Sequence, residues 1–297
     1  MYDALINFVR GAVAPLSPEP PPTLPADMEA LVYSRERTIP GIRAVLFDIY
    51  GTLLTSAAGE IGVSGHMQGS PDALALELGG KFTGEELKQY FRSAVTRLHE
   101  ERYPTTPYPE IRVEAIWEEF LRRETGTAGI GPEELALRYE LAVNPAFPMP
   151  GALETIKTLK AAGFTLGIIS NAQFFTPILL DAFFGAPPEG LGFELGLSVY
   201  SYEVGEAKPS PALFARALSG LSALNIPPAS CLFVGNDMLN DIFPATAAGF
   251  KTLLFAGDGR SLRLREGNQL VGDLKPTGII RNLADLPNLV TGGNNAL

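Results

Sequence analysis

The sequence predicts a doubly wound, Rossmann-like α/β fold with an inserted helical segment. Two observations lead to this prediction. Short apolar runs that fit buried strands alternate with helical segments through the second half of the chain, and alternating βα units imply a parallel sheet with helices on both faces. A long helical stretch also separates the first of these strands from the second, which indicates an insertion between two core strands.

The core elements follow one another at short intervals. The first strand spans residues 43–48 and ends at Asp48, after which the chain turns through Gly51 and Thr52. Later apolar runs predict strands over residues 165–170, 193–200, 231–235 and 251–255. The helices between them are predicted over residues 152–162, within 176–184, from 211 to about 221, and in a segment ending at Gly249. An apolar stretch over residues 278–289 is expected to pack back on the core.

The chain divides into three predicted units. Residues 1–40 form an N-terminal extension, in which a short amphipathic helix over residues 1–13 precedes a proline-rich arm. We interpret this arm as a surface strap or linker, with a dimerisation or partner-binding arm as the alternative. The α/β core comprises residues 41–55 and 148–297. Residues 56–147 form the helical insertion, whose helices begin after a capping box at Thr83, after Pro109 and at Pro132.

Composition limits the classes of function. The chain has 297 residues, 23 basic and 33 acidic, with a net charge of -10. Such an acidic protein has no electrostatic basis for binding nucleic acid or an anionic membrane. The sequence has a single cysteine, Cys231, which precludes an intramolecular disulfide and fits a buried core residue. No apolar stretch is long enough to span a membrane and the N-terminus does not resemble a secretion signal, so we expect a cytoplasmic monomer or homodimer.

Chemically active side chains follow the predicted strands. Asp48 ends the first strand, Ser170 and Asn171 end the second, Lys208 precedes a helix, and Asn236, Asp237 and Asp241 follow the strand over residues 231–235. The carboxyl ends of parallel strands meet at one edge of a sheet, where ligands bind. Each residue alone fits an ordinary capping or surface role. Together, they predict one site in which Asp48, Ser170, Lys208 and Asp237 contact the same small anionic ligand.

These motifs resemble those of the haloacid dehalogenase superfamily of hydrolases, over about residues 43–255. The resemblance implies that Asp48 is a nucleophile that forms a covalent ester, with Ser170 and Lys208 contacting the transferring group and Thr52 and Asn171 binding substrate. It also implies that the insertion is a cap that closes over the strand ends and excludes water.

The two ends of the predicted site favour different chemistries. The first motif, Asp48-Ile49-Tyr50-Gly51-Thr52, carries tyrosine where the superfamily usually has a second acid, as in its 2-haloacid dehalogenase branch. The motif over residues 235–241 instead resembles the magnesium-dependent phosphatases. In that case Mg²⁺ is the expected cofactor, bound by Asp48, the Tyr50 carbonyl, Asp237 and Asp241.

The sequence therefore leaves three functions open. The acids at 237 and 241 favour a Mg²⁺-dependent phosphate-ester hydrolase acting on a small metabolite. Tyr50 favours a metal-free 2-haloacid dehalogenase, because a halide leaves without a proton. A phosphatase with tyrosine at this position would lack the acid that protonates the leaving alkoxide. That alternative needs a halide cradle in the cap, for which the candidates are Arg92, Arg97 and Arg102; His66 and His99 are candidate bases there. A non-catalytic binding protein on the same scaffold is the third possibility.

Overall fold

The computed structural model describes residues 2–34, 38–59, 69–124 and 129–291. The strands in these ranges are β1 Ala44–Phe47, β2 Leu54–Ser56, β3 Ala146–Pro148, β4 Thr165–Ser170, β5 Phe193–Tyr200, β6 Cys231–Gly235, β7 Lys251–Phe255 and β8 Gly278–Ile280. The helices are α1 Tyr2–Ala12, α2 Ala26–Glu29, α3 Asp72–Glu77, α4 Gly84–Arg102, α5 Val113–Arg123, α6 Pro132–Val143, α7 Ala152–Ala161, α8 Thr176–Phe184, α9 Pro188–Leu191, α10 Ser201–Val204, α11 Pro211–Ala223, α12 Phe243–Ala247 and α13 Leu286–Thr291.

Six strands of the described chain form a parallel sheet in the order β5-β4-β1-β6-β7-β8. The chain enters at β1, moves outward through β4 to β5, and returns on the other side of β1 through β6, β7 and β8. The strand order therefore reverses between β1 and β6, where Phe47 pairs with Val234. Such a reversal opens a crevice at the carboxyl ends of the strands, where α/β proteins bind ligands. The doubly wound fold is confirmed.

The helices that flank the sheet begin and end close to their predicted positions. Ser210 caps α11 by accepting a hydrogen bond from the Ala212 amide at 3.2 Å. The segment predicted as a helix ending at Gly249 starts instead with a π-helical turn, Met238–Ile242, and continues into α12. The apolar tail does pack on the core, since β8 adds to the sheet beside β7 and α13 buries Leu289.

A helical insert, defined here as α3–α6, separates β2 from β3, which pair as a short antiparallel ribbon. Thr83 and Glu86 form the predicted capping box at the start of α4. Trp117 is fully buried in this insert, with ring centroids 5.8 Å from Phe91 and 4.7 Å from Tyr139. These aromatic contacts give the insert a core that its own helices supply.

The insert also pairs with the core through main-chain hydrogen bonds. The Glu110 amide donates to the Gly205 carbonyl at 3.1 Å, and the Ala207 amide donates to the Tyr108 carbonyl at 2.9 Å. Arg102 of α4 donates to the carbonyls of Glu110 and Gly205. The loop of the insert before α5 is thereby fixed against the core loop that leads directly into Lys208.

The N-terminal segment lies on the core. Helix α1 packs on α8, where Arg10 donates to the Ala182 carbonyl at 3.0 Å. Within the proline-rich segment, the Glu19 amide donates to Asp258 at 2.9 Å and the Glu19 carbonyl accepts from the Gly259 amide at 3.1 Å. These contacts match the interpretation of the arm as a surface strap. In the ranges that the structure describes, no helix has both the length and the apolar character to cross a membrane.

Candidate active site

Asp48 follows β1 directly, at the point where the strand order reverses. Its amide donates to the Val234 carbonyl at 2.9 Å, which holds the end of β1 against β6. One carboxylate oxygen, Oδ1, accepts hydrogen bonds from Ser170 Oγ at 2.8 Å and from Lys208 Nζ at 2.7 Å. The described side chains donate no hydrogen bond to Oδ2, so this oxygen remains for a ligand. The structure thus brings Asp48, Ser170 and Lys208 together, as the strand-end argument predicted.

Lys208 is a buried cation between two acids. Its ammonium lies 2.7 Å from Asp48 Oδ1 and 2.5 Å from Asp241 Oδ1, and it also donates to the Ile169 carbonyl at 3.2 Å. Burial acts to lower the pKa of Lys208, but the carboxylates of Asp241 and Asp48 outweigh it and raise the pKa above its ordinary value. Lys208 therefore stays charged and offsets part of the negative charge of these two acids.

Asn171 fixes the loop that carries Lys208. Its Oδ1 accepts a 2.6 Å hydrogen bond from the Lys208 amide, and its Nδ2 donates to the Lys208 carbonyl at 3.4 Å. Asn171 also lines the cavity next to Asp48. The neighbouring Ala172 amide donates to Ser201 Oγ at 2.8 Å, so this amide is not available to a ligand. The primary structural role of Asn171 is to position Lys208.

Asp241 lies beneath the site and is engaged through both oxygens. Oδ1 contacts Lys208, and Oδ2 accepts from the amides of Asn236 and Asp237, each at 3.0 Å. Burial raises the pKa of Asp241, and the nearby carboxylates of Asp48 and Asp237 act in the same direction while Lys208 opposes them. These bonds let Asp241 hold Lys208 and the turn after β6 in place.

Asp237 is oriented towards an arginine rather than towards Asp48. Arg265 binds both of its carboxylate oxygens, with Nη2 at 2.6 Å from Oδ2 and Nε at 3.1 Å from Oδ1. Oδ1 also caps the π-helical turn by accepting from the amides of Leu239 at 2.8 Å and Asn240 at 3.2 Å. The carboxylate of Asp237 is therefore engaged by a bidentate pair with Arg265 and by two capping amides.

Asn236 and Thr52 bind each other. Thr52 Oγ1 donates to Asn236 Oδ1 at 3.2 Å, and Asn236 Nδ2 donates to the Ser261 carbonyl at 2.7 Å. Thr52 is fully buried, so its hydroxyl holds Asn236 rather than reaching into the cavity. This placement does not match the substrate contact that the resemblance implies for Thr52.

Tyr50 is buried, and its hydroxyl lies 3.0 Å from Thr176 Oγ1. Burial and the Glu140 carboxylate raise the pKa of the Tyr50 phenol above its ordinary value. A phenol with a raised pKa holds its proton at neutral pH and is a weak acid towards a leaving alkoxide. Tyr50 therefore shapes the wall of the cavity without replacing the missing acid.

The described residues do not fit the predicted magnesium site. Mg²⁺ needs oxygen ligands that face one point at near-ideal octahedral geometry. Asp237 is bound by Arg265, and both oxygens of Asp241 are engaged by Lys208 and main-chain amides. Of the four predicted ligands, Asp48 Oδ2 and the Tyr50 carbonyl remain. Within the described chain, no group of three His, Cys, Asp or Glu residues is arranged to hold a metal ion.

The cavity above Asp48 has a volume of about 60 Å³. Besides the residues already described, it is lined by Gly59, Asn240 and Arg263, which the sequence did not predict. A signal for Arg263 is present in the sequence, because Leu262 and Leu264 alternate with Arg263 and Arg265 shortly after the strand predicted over residues 251–255. That period-two pattern indicates an extended segment with one basic face.

The arginines that the sequence suggested for a halide cradle lie elsewhere. Arg92 pairs with Glu85 and Arg97 pairs with Glu101 and Glu119, all as partly exposed side chains on the insert. Arg102 binds main-chain carbonyls at the junction with the core. None of these arginines lines the cavity at Asp48. Of the two histidines, His99 lies on α4 and does not line the cavity, and His66 falls outside the described residues.

The fold and the strand-end motifs agree with a comparison of the chain with known families. A model of the haloacid dehalogenase-like hydrolases matches residues 42–249, which is more than two thirds of the chain. The chain belongs to this family. It is therefore a hydrolase of the haloacid dehalogenase-like class, as the motifs had indicated.

Relatives include proteins of different named activities. The chain is 24% identical over 233 residues to the rhythmically expressed gene 2 protein of Drosophila melanogaster, covering 73% of this chain and 84% of the relative. It is 27% identical over 213 residues to a phosphoglycolate phosphatase of Xylella fastidiosa (strain 9a5c), covering 71% of this chain and 79% of the relative.

Similar solved structures also include both dehalogenases and phosphatases. A 2-haloacid dehalogenase from Pseudomonas syringae pv. Tomato DC3000 superposes with a TM-score of 0.53 at 24% identity, covering 85% of this chain and 99% of that one. A phosphatase of the same superfamily from Thermococcus onnurineus gives a TM-score of 0.51 at 21% identity, covering 82% and 96%. At these identities the likeness establishes the shared fold and leaves the reaction open.

Proposed function

We propose that this hydrolase cleaves the carbon–halogen bond of a small 2-haloacid without a metal, through a covalent ester on Asp48. The observation that carries the proposal is the environment of Tyr50, which occupies the position of the phosphatase acid and directs its hydroxyl to Thr176. A halide leaves as a stable anion and needs no proton from the enzyme. The site therefore offers a carboxylate nucleophile for this reaction and lacks the acid that alkoxide departure needs, although none of the arginines considered for a halide cradle lines it.

The reaction proceeds in two displacements. Asp48 Oδ2, which accepts no hydrogen bond from the described residues, attacks the halogen-bearing carbon; the new carbon–oxygen bond replaces the carbon–halogen bond, and halide departs with the bonding electrons. Lys208 and Ser170 hold the carboxylate at Oδ1. Water then attacks the carboxyl carbon of the ester, which regenerates Asp48 and releases a 2-hydroxyacid and a proton. The insert, acting as a cap, would exclude bulk water during the first displacement.

Mg²⁺-dependent phosphate-ester hydrolysis is the second candidate. It is favoured by the similarity to a protein named phosphoglycolate phosphatase in Xylella fastidiosa. It would require a metal held through Asp48 and the Tyr50 carbonyl and a proton donor other than Tyr50. In both cases the ligand is a small anion, and the cavity that would receive it is lined by the cations Lys208 and Arg263.

A substrate panel separates the candidates. Purified protein is incubated with 2-chloropropionate, with halide release followed, and separately with a generic aryl phosphate, each with Mg²⁺ or with EDTA. Halide release that EDTA leaves unchanged is the expected result. Phosphate release that EDTA abolishes would replace our proposal with the second candidate. Neither activity in a well-folded sample would instead favour a non-catalytic binding protein on this scaffold.

A further inference from the structure

Arg263 lies in the loop that follows β7 and lines the cavity. Its amide donates to the Asn236 carbonyl at 3.0 Å, and its carbonyl accepts from the Met238 amide at 2.9 Å. These two bonds form a short parallel bridge with Asp237. The main chain of Arg263 is thereby fixed to the turn after β6, which holds the Cα of Arg263 in place beside the cavity.

The guanidinium of Arg263 is held by neutral acceptors. Nη1 donates to the carbonyls of Arg260 at 2.6 Å and Leu262 at 3.2 Å, and Nη2 donates to the Ala58 carbonyl at 3.4 Å. Unlike Arg260, which contacts Glu19, and Arg265, which contacts Asp237, Arg263 has no carboxylate partner among the described residues. A guanidinium carries five N–H groups, so these bonds leave donors for a ligand.

The charges around the cavity single out the same side chain. Lys208 is engaged by Asp48 and Asp241, and Asp237 is engaged by Arg265. An anionic substrate that approaches Asp48 meets a like charge, which a nearby cation must offset. Among the described residues that line the cavity, Arg263 is the cation whose charge is not already opposed by a protein carboxylate.

We propose that Arg263 binds the non-reacting carboxylate of the substrate and so selects acids over uncharged analogues. This inference rests on the proposed function, in which the reacting carbon carries both a halogen and a carboxylate. The planar guanidinium matches a carboxylate through paired hydrogen bonds, whereas an ammonium acts as a point charge. Arg263 therefore orients the substrate so that its halogen-bearing carbon faces Asp48 Oδ2.

Direct binding tests the role without turnover. Propionate and, separately, inorganic phosphate are titrated by calorimetry into the full-length wild type and the Arg263→Ala, Arg263→Gln and Arg216→Ala variants. Arg216 is an exposed residue of α11 and controls for the loss of one positive charge. We expect Arg263→Ala to weaken propionate binding about tenfold or more, with Arg216→Ala unchanged. Arg263→Gln keeps donors for the main-chain carbonyls, so the same titration is made with this variant if the alanine variant fails to fold.

Turnover supplies a second readout. With 2-chloropropionate we expect Arg263→Ala to raise KM about tenfold, to lower kcat because the bound substrate is no longer oriented towards Asp48, and to lose the preference of the wild type for this acid over 2-chloropropionamide. Arg263→Lys should recover part of the affinity.

Equal propionate affinity in the wild type and in the Arg263→Ala and Arg263→Gln variants would overturn the assignment. So would a wild type that binds phosphate through Arg263 but does not bind propionate. If the wild type releases no halide while the Arg263 variants still lose propionate affinity, the proposed reaction fails and the anion-binding role stands.

Discussion

Arg265 binds both carboxylate oxygens of Asp237, and this pair determines what the acidic turn after β6 can do. The guanidinium lies 2.6 Å from Oδ2, and the side chain of Asp237 is 9% exposed. A carboxylate held in this way cannot turn towards Asp48 without breaking its hydrogen bonds to Arg265. The pair explains how a sequence rich in acids at this position yields a site with little capacity for a metal.

We expect magnesium to have no effect on the wild type for this reason. Adding millimolar Mg²⁺ should leave both the Tm and the rate of halide release unchanged, because the acids at 237 and 241 are already satisfied by Arg265 and Lys208. Thermal unfolding across a Mg²⁺ titration provides the measurement, with Ca²⁺ as a control for non-specific cation effects. A saturable rise in Tm with Mg²⁺ alone would contradict this expectation.

Asp48→Asn should abolish turnover. An amide is a poor nucleophile, and removing a nucleophile typically lowers kcat by a factor on the order of 10³ or more. Halide release by the variant is compared with that of Asp273→Asn, in which an exposed carboxylate undergoes the same change. Thermal unfolding verifies that both variants are folded. Residual activity of the Asp48 variant above a tenth or so of the wild-type rate would exclude Asp48 as the nucleophile.

Lys208→Met should destabilise the protein strongly. Removing the ammonium leaves Asp48 and Asp241 buried without their cation, and breaking a buried ion pair typically costs about 3–5 kcal/mol. Urea unfolding measures the loss, with the exposed Lys157→Met as the matched control. The double variant Lys208→Met/Asp241→Asn should recover part of the stability, because it removes one of the two uncompensated charges. Equal stability of the single and double variants would contradict the proposed charge balance.

Tyr50→Phe should keep its activity and lose about 1 kcal/mol of unfolding free energy, the typical value of one neutral hydrogen bond. The hydroxyl bonds Thr176 and takes no part in the proposed chemistry. A double-mutant cycle with Thr176→Val isolates this bond. A large loss of halide release in a folded Tyr50→Phe variant would show that the phenol acts in the reaction.

Tyr50→Asp tests the phosphatase alternative. If the missing acid is what limits phosphate-ester hydrolysis, this variant should gain rate with an aryl phosphate. We expect no gain and a marked loss of stability, because the new carboxylate would be buried near Glu140 without a cation. A rise in Mg²⁺-dependent phosphate release would favour the second candidate instead.

Glu110 should make stability depend on pH. Burial raises the pKa of this carboxyl to about 7, although Ser201, the Ile111 amide and Gln173 bind it. Because the pKa in the folded state lies above that of the unfolded chain, folding takes up a proton between the two values. The stability contributed by Glu110 is therefore fully present below the unfolded pKa and is lost as the pH rises through about 7.

Glu110→Gln removes this proton uptake. Relative to the wild type, the variant should become more stable as the pH is raised from about 5 to about 8, by an amount on the order of 1–3 kcal/mol. Urea unfolding at both pH values measures the difference, and the exposed Glu100→Gln serves as control. A pH dependence that is the same in Glu110→Gln and the wild type would assign the titration to another group.

The sequence predicted the sheet more completely than the site. Strands β4, β5, β6 and β7 begin and end at the predicted residues, because short apolar runs bounded by Gly, Pro and polar residues fit buried strands of a parallel sheet. The placement of Asp48, Ser170 and Lys208 followed from the rule that strand ends meet at one edge. These predictions depend only on local pattern and topology.

Partners of the side chains could not be predicted in the same way. Arg265 reaches Asp237 from 28 residues later in the chain, and Thr176 meets the Tyr50 hydroxyl from 126 residues later. Whether an acid faces a metal position or an arginine depends on the path of the loop after β7, for which the sequence carries only the alternation around Arg263. The sequence therefore identified Asp237 as a site residue but predicted that it contacts Mg²⁺, whereas it contacts Arg265.

The main-chain pairing between the insert and the loop before Lys208 constrains how a substrate enters. Swinging the insert away on this side would break the bonds of Glu110 and Ala207 to their partners and would pull on the lysine itself. These bonds couple the insert to the Lys208 loop on this flank. We therefore expect substrate to enter and product to leave along the flank where the partly exposed Asn240 and Arg263 line the cavity. Incoming molecules would then pass the guanidinium before they reach the nucleophile.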